Sequence, residues 1–296
     1  MQAGGNCHNL RLDTQKLIDL PVASPLLSGL LNVINDDDIT IREFAAMIRQ
    51  DPVLAARIIG LSNSAYFGQA HPITSVEEAI FKSLGLRMTK SLVLSIAMAG
   101  NFGSFQQFPA FDIQRYWLEA ILCAYLAREL CVHLPAAHRA DIDDAYLSGL
   151  LHDFGMLPVI YLYYDEVKPI INKTTAPEEF SQAMRILLGA DHHQVGAWLA
   201  HKWQIPENIV TVLAHYPEAE YQGNHADLVN LIHGVVMLIR AILANEEVNM
   251  EMPAARFLMQ TLGVDETRLM ATVENLLHKR DGLEIISTEL ARSETA

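Results

Sequence analysis

His152 and Asp153 stand side by side in the apolar stretch "LSGLLHDFGMLPVIY", Leu147 to Tyr161, with Gly155 just after them. Neutral imidazole and carboxylate both grip divalent ions, so such a pair can begin a metal-dependent phosphohydrolase centre. More histidines follow at His192, His193, His201, His215 and His233. Taken singly, each is more often a hydrogen-bonded core or surface imidazole than a ligand. As a set, His152, Asp153, His192 and His215 say more. Each lies near a helix end or a Gly or Pro break, where side chains from facing helices can converge on an ion.

Other chemistry finds little support. "DIDD", Asp141 to Asp144, lacks the Gly and distal Glu of a calcium loop. It reads as a helix start favoured by the N-terminal dipole, and "NDDDIT" as a capping turn. There is no P-loop, dinucleotide fingerprint or G-x-S-x-G elbow. Arg57, Lys82, Arg87 and Lys90 read as solvated cations rather than a binding face.

The elements that must position the pair are helical throughout. "DITIREFAAMIRQ" places Ile41, Phe44, Ala45 and Ile48 on one face. In "DPVLAARIIGLSNSAYFG", Asp51 caps and Pro52 suits the first helical position. Ser75 and Glu78 form a capping box for "SVEEAIFKSLG", which should yield at Gly85 before "RMTKSLVLSIAMAGNF". "GSFQQFPAFD" is a connector, broken by Gly103 and Pro109. Beyond it, "IQRYWLEAILCAYLAREL" reads as a long amphipathic helix and "ADLVNLIHGVVMLIRAILA" as an apolar one. Trp117 and Trp203 should be buried. The tail after "DGLEII" is polar and expected to fray. Without a βαβ pattern or alternating strands, the fold class is all-α.

The chain has 296 residues and a formal charge of −14, with 51% apolar residues. That charge argues against a broad nucleic-acid footprint. Cys7, Cys123 and Cys131 contain no C-x-x-C and read as free thiols in a reducing cytoplasm. "LVLSIAMAG" and "LPVIYLYY" are too short to span a bilayer, and "MQAGGNCHNLRLD" lacks a signal peptide's apolar core. The length leaves no room for an attached receiver, kinase or cyclase, so input is expected in trans.

"IRQDPVLAARIIGLSNSAYFG" followed by "ITSVEEAIFKSLGLRMTKSLVLS" resembles the N-terminal signature of HDOD domains, the HD-related output domains of bacterial signalling. "WLEAILCAYLAREL", "YLSGLLHDFGMLPV" and "DHHQVGAWLAHKWQIPENIVTVLAHYPE" resemble the second half, in order. The resemblance runs over about residues 15 to 245. It implies an N-terminal helical subdomain (15–108) packed on a degenerate HD-like helical subdomain (109–245). An arm (1–14) would precede them, and C-terminal helices with a polar tail (246–296) would follow.

HDOD domains are related to HD and HD-GYP phosphohydrolases, whose active members bind metal through an early His, the His-Asp pair, further His residues and a late Asp. The resemblance implies a metal set of His152, Asp153, His192 and His215. Glu119 stands where the early His would be and Val236 where the late Asp would be. Tyr216 follows His215 where active relatives pair two histidines, and the G-Y-P signature is absent. Tyr216 and Val236 are therefore expected on the pocket wall. Glu119 can still bind a cation and Val236 cannot, which disfavours a dinuclear centre. One divalent ion (Fe, Mn, Ni, Zn or Mg) is the cofactor the resemblance allows.

The expectation is a non-catalytic bacterial signalling module in the cytoplasm. It would act through an unidentified protein partner and admit a small phosphorylated ligand, with no role for nucleic acid or membrane. The alternative is a metal-dependent phosphohydrolase acting on a nucleotide or cyclic dinucleotide.

Overall fold

The computed structural model describes residues 24–291 apart from 35, 37, 139 and 174–176. Expectations for the arm 1–14, for Cys7 and for residues 292–296 lie outside it. The described residues form helices and short turns with no strand, as the periodicity requires.

The first stretch comprises α1 (Pro25–Val33), α2 (Ile41–Ile48), α3 (Pro52–Ser62) and α4 (Leu86–Gly100). Their starts are written locally. Thr40 and Glu43 close a capping box on α2. The Asp51 carboxylate accepts from the Val53 and Leu54 amides ahead of Pro52. Ser75 accepts from the Glu78 amide at 3.2 Å, but the Glu78 carboxylate returns to the Thr74 amide, one residue before a standard capping box. The segment that follows is wider than expected: Ala79–Leu84 is π-helical, ended by Gly85 at φ 76°. Only glycine enters that left-handed region without strain. Lys90 is buried rather than solvated, and its ammonium donates to the Asp36 carbonyl at 2.6 Å.

Nine further helices are α5 (Ile113–Cys131), α6 (Ile142–Leu151), α7 (Met156–Ile171), α8 (Pro177–Leu188), α9 (His192–Lys202), α10 (Glu207–His215), α11 (Ala226–Leu243), α12 (Pro253–Leu262) and α13 (Glu266–Ala291). The centre is α5, packed by α6, α11 and α13. It is more enclosed than the amphipathic helix expected, since every residue from Ala120 to Ala127 is buried. A helix buried all round is a core helix. Cys123 and Cys131 on it are buried and form no disulfide with each other. Trp117 and Trp203 are buried, as expected.

Buried apolar contacts cross the Gly103–Pro109 connector in both directions. One cluster joins Ile48, Ile58 and Leu92 to Leu122, Leu126 and Val235. The other joins Met98 and Phe102 to Phe154, Ile160 and Trp203. Among the described residues, two stretches are long and apolar enough to cross a membrane, contrary to the sequence expectation: Ile142–Ile171 and Ala226–Leu243. Most of each lies inside the fold, 78% and 61% of the respective windows being buried, so apolarity here serves the core.

The C-terminal stretch also departs from expectation. Residues 287–291 of that tail do not fray; they complete α13, which lies across α5, α3 and the 3-10 turn Ala65–Phe67. Leu283, Ile286 and Leu290 keep helical spacing and are buried. Lys279 sits 5.2 Å from the Tyr125 ring centroid and donates to its hydroxyl at 3.1 Å. Gly282 permits the approach, because a Cβ there would come within 3.0 Å of Tyr66 Cβ. Leu283→Ala and Ile286→Ala should therefore each cost about 2–5 kcal/mol in urea unfolding. Ile285→Ala, at a position 40% exposed, should cost under about 1 kcal/mol. Equal, small costs at all three positions would mean the tail is loose.

Candidate functional site

Two close backbone approaches assemble the cluster. The first is between α5 and α6, where a Cβ on Gly149 would lie 2.7 Å from the Ala124 backbone. Glycine thus lets α6 press onto α5 and carries its C-cap, His152, toward Glu119. The second is between the turn after α6 and the first turn of α9. Gly155 packs on the His192 carbonyl and on Gly196, leaving no room for a Cβ. This sets the His192 imidazole beside Asp153, Nε2 to Oδ1 3.3 Å. Phe154 anchors the turn against Phe102 and Trp203.

His152 is 2% exposed, and its Nδ1 lies 2.8 Å from the Gly149 carbonyl, so that nitrogen carries a proton. Its Nε2 faces Glu119 Oε1 and Asp153 Oδ2, each at 3.6 Å. Behind His192 lies His193, with ring centroids 3.7 Å apart. His193 Nδ1 is 4.0 Å from Asp153 Oδ1 and its Nε2 is 3.4 Å from Ser181 Oγ. Tyr216, the C-cap of α10, donates its phenol proton to Asp153 Oδ1 at 2.5 Å. The Tyr216 carbonyl accepts from His233 Nδ1 at 2.8 Å, tying the end of α10 to α11.

Arg240, in the last turn of α11, completes the arrangement. Its Nε donates to Glu119 Oε1 at 2.6 Å and its Nη2 to Asp153 Oδ2 at 2.8 Å. One guanidinium thus bridges carboxylates from two different elements, a geometry its planar fork suits.

The titration directions follow from this packing. Burial pushes the Asp153 carboxyl up, but the positive charges of His152 and Arg240 outweigh it and hold the group well below the usual range. Glu119 is likewise held low, with burial opposed chiefly by the charge of Arg240 and the nearby His152 imidazole. Burial disfavours the charged His152, yet Asp153 and Glu119 prevail and raise its pKa. Burial, reinforced by the neighbouring His192, drives His193 well down, so it is neutral. Two carboxylates held in their charged form therefore face the Arg240 guanidinium, with the His152 imidazole beside them.

The sequence-derived set is partly gathered here. Glu119, His152, Asp153 and His192 converge, and Tyr216 participates through a bond to Asp153. His215 lies apart: it is half-exposed, hydrogen-bonded to Glu218 at 2.8 Å and stacked on Tyr221. Successive helical residues point about 100° apart, so turning Tyr216 inward turns His215 away. Val236 is a buried core residue one helical turn before Arg240. Sequence reasoning missed Arg240 and left His193 outside the set. The available signal for Arg240 was its isolation, as the sole cation in the apolar run from Leu228 to Leu243.

Among the described residues, two groups have ligand-type atoms within 4.8 Å of one another: Glu119, His152 and Asp153, and Asp153, His192 and His193. A divalent ion of the kind an HD-like fold implies would need the carboxylate oxygens at about 2.0–2.2 Å. Arg240 already holds Glu119 Oε1 and Asp153 Oδ2, and the Tyr216 phenol holds Asp153 Oδ1. As arranged, the residues do not fit a resident ion.

Comparison with known proteins accords with this fold. The family model for the HDOD domain matches residues 20–219. A candidate signal transduction protein of Marinobacter aquaeolei superposes with a TM-score of 0.77 at 21% identity, covering 94% of this chain and 61% of that one. A candidate phosphohydrolase of Shewanella amazonensis gives 0.74 at 21% identity, covering 94% and 97%. An uncharacterized protein of Treponema pallidum is 26% identical over 228 residues, 76% of this chain. The chain spans 43% of that protein's length.

The charge pattern gives a pH signature. The raised His152 stabilises the fold fully below its unfolded value of about 6.5, and that contribution is lost as pH rises through its folded value. The depressed Asp153 and Glu119 contribute above about pH 4 and lose their contribution in acid, where His193 must also charge. His152→Gln should therefore be less stable than the unmodified protein at pH 6, by a gap that narrows toward pH 9. A gap independent of pH in urea titrations would show His152 to be neutral in the fold.

Proposed function

Because the chain belongs to the HDOD domain family, we propose that it is a bacterial signalling or regulatory module, located in the cytoplasm, that acts through protein contacts and not through hydrolysis. The observation that carries this reading is the Arg240 bridge. Hydrolysing a phosphodiester at neutral pH requires an ion charged and fixed enough to acidify its water. Here the oxygens that would fix such an ion are committed to a guanidinium and a phenol. A guanidinium never deprotonates in proteins, so it supplies no hydroxide equivalent. What the cluster does supply is cohesion, joining α5, the end of α6, the end of α10 and α11 around one charge-balanced core.

The alternative, a metal-dependent phosphohydrolase acting on a nucleotide or cyclic dinucleotide, draws on the two ligand-type groups and on the candidate phosphohydrolase of similar fold. It requires Arg240 to leave both carboxylates. Assays with Mn²⁺, Mg²⁺, Fe²⁺ and Ni²⁺ against cyclic dinucleotides and simple phosphodiesters separate the two. The proposed function gives rates no higher than those of the double variant His152→Ala/Asp153→Ala. Turnover well above that background, lost in the double variant, would establish the hydrolase.

A further inference from the structure

We propose that the Arg240 guanidinium is the resident cation of this cluster, occupying the place of a divalent ion, and that its removal creates a divalent-metal site from Glu119, His152 and Asp153, with His192 and His193 alongside. The inference rests on the non-catalytic reading and assigns the residue responsible for it.

Position comes first. Arg240 follows Val236 by four residues on α11, so the two lie on neighbouring turns of one helix face. A carboxylate at position 236 would offer an anion to an ion from that face; this chain instead brings a cation from the next turn. Geometry comes second. The guanidinium nitrogens stand 2.6 and 2.8 Å from one oxygen of each carboxylate. An ion coordinated by the same two oxygens would meet a like charge at close range, so occupancy by Arg240 and by metal exclude each other.

The atoms left over are the third observation. His152 Nε2, His192 Nδ1 and His193 Nδ1 are buried side-chain nitrogens without a hydrogen-bond partner. Buried polar atoms of that kind are uncommon in folded proteins. The unpartnered His152 Nε2 and His193 Nδ1 face Asp153, whereas His192 turns its bonded Nε2 toward it, and imidazole nitrogen is a good ligand for Zn²⁺ and Ni²⁺. With Arg240 truncated, two largely enclosed carboxylates lose their principal counter-charge, and a divalent cation restores it. The permanence of the guanidinium charge also matters. Chelators cannot remove it and ordinary pH cannot discharge it, so the cluster stays assembled whatever metal is available.

The test uses the full chain, without substrate. The unmodified protein, Arg240→Ala and Arg240→Met are each titrated with Zn²⁺, Ni²⁺ and Mn²⁺ by calorimetry and thermal unfolding. His152→Ala/Asp153→Ala serves as the control for surface histidines. The expected result is one additional equivalent of Zn²⁺ or Ni²⁺ bound by the Arg240 variants, with a rise in Tm on the order of 5 °C at saturating metal. Adding Asp153→Asn to those variants should abolish both effects, and the unmodified protein should match the control. An Arg240→Ala chain that folds only when metal is supplied also supports the proposal. Arg240→Met keeps most of the stem's volume and covers the case in which the alanine variant does not fold.

Two outcomes overturn the proposal. One is stoichiometric metal uptake by the unmodified protein that is absent from the control. The other is failure of both Arg240 variants to take up an ion. Neither measurement involves turnover, so hydrolysis by the unmodified protein would sink the functional reading separately.

Discussion

Two acidic side chains from different elements, Glu119 on α5 and Asp153 just past α6, share one guanidinium. Much of this structure can be read as what that sharing demands. Unpaired carboxylates in so enclosed a place would be costly, since burial favours their neutral form. Arg240 offsets that cost only while α11 holds it within hydrogen-bond range of both. The bond from His233 to the Tyr216 carbonyl and the burial of Val235 and Val236 fix α11 in that register. The electrostatics therefore depend on the packing, and the packing would suffer if the charges were left unmatched.

Glycine sets the distances. Gly149 lets α6 touch α5, and Gly155 lets the turn after α6 touch α9. Any side chain at either position would push apart the backbones that bring Glu119, His152, Asp153 and His192 together. The counter-charge those approaches require comes from α11, through Arg240.

The helices were largely legible in sequence because their signals are local. Asp51 with Pro52, Thr40 with Glu43, and Gly85 act on their own neighbours, so the structure had little freedom to depart from them. Tertiary context decided what was missed. The polar residues of α13 hid the spacing of Leu283, Ile286 and Leu290, which acquires meaning only once α5 and Tyr66 lie beneath it. Lys90 looked solvated until the Asp36 carbonyl came within reach. The His-Asp pair, Glu119 and His192 were recognisable from type and order, whereas adjacency in sequence could not say which of His215 and Tyr216 faced inward. Arg240 was hardest to see, because a motif describes ligands for a metal and has no place for a cation that supplants one.

What occupies the space between Glu119 and Asp153 decides whether the central cation is a guanidinium or a metal. Crystals of the unmodified protein grown with millimolar Mn²⁺, measured for anomalous scattering, report on that space directly. A resident guanidinium gives no anomalous peak in the cluster and continuous density for Arg240 reaching both carboxylates. An anomalous peak bound by Asp153 and His152, with the Arg240 side chain swung clear of them, would contradict it.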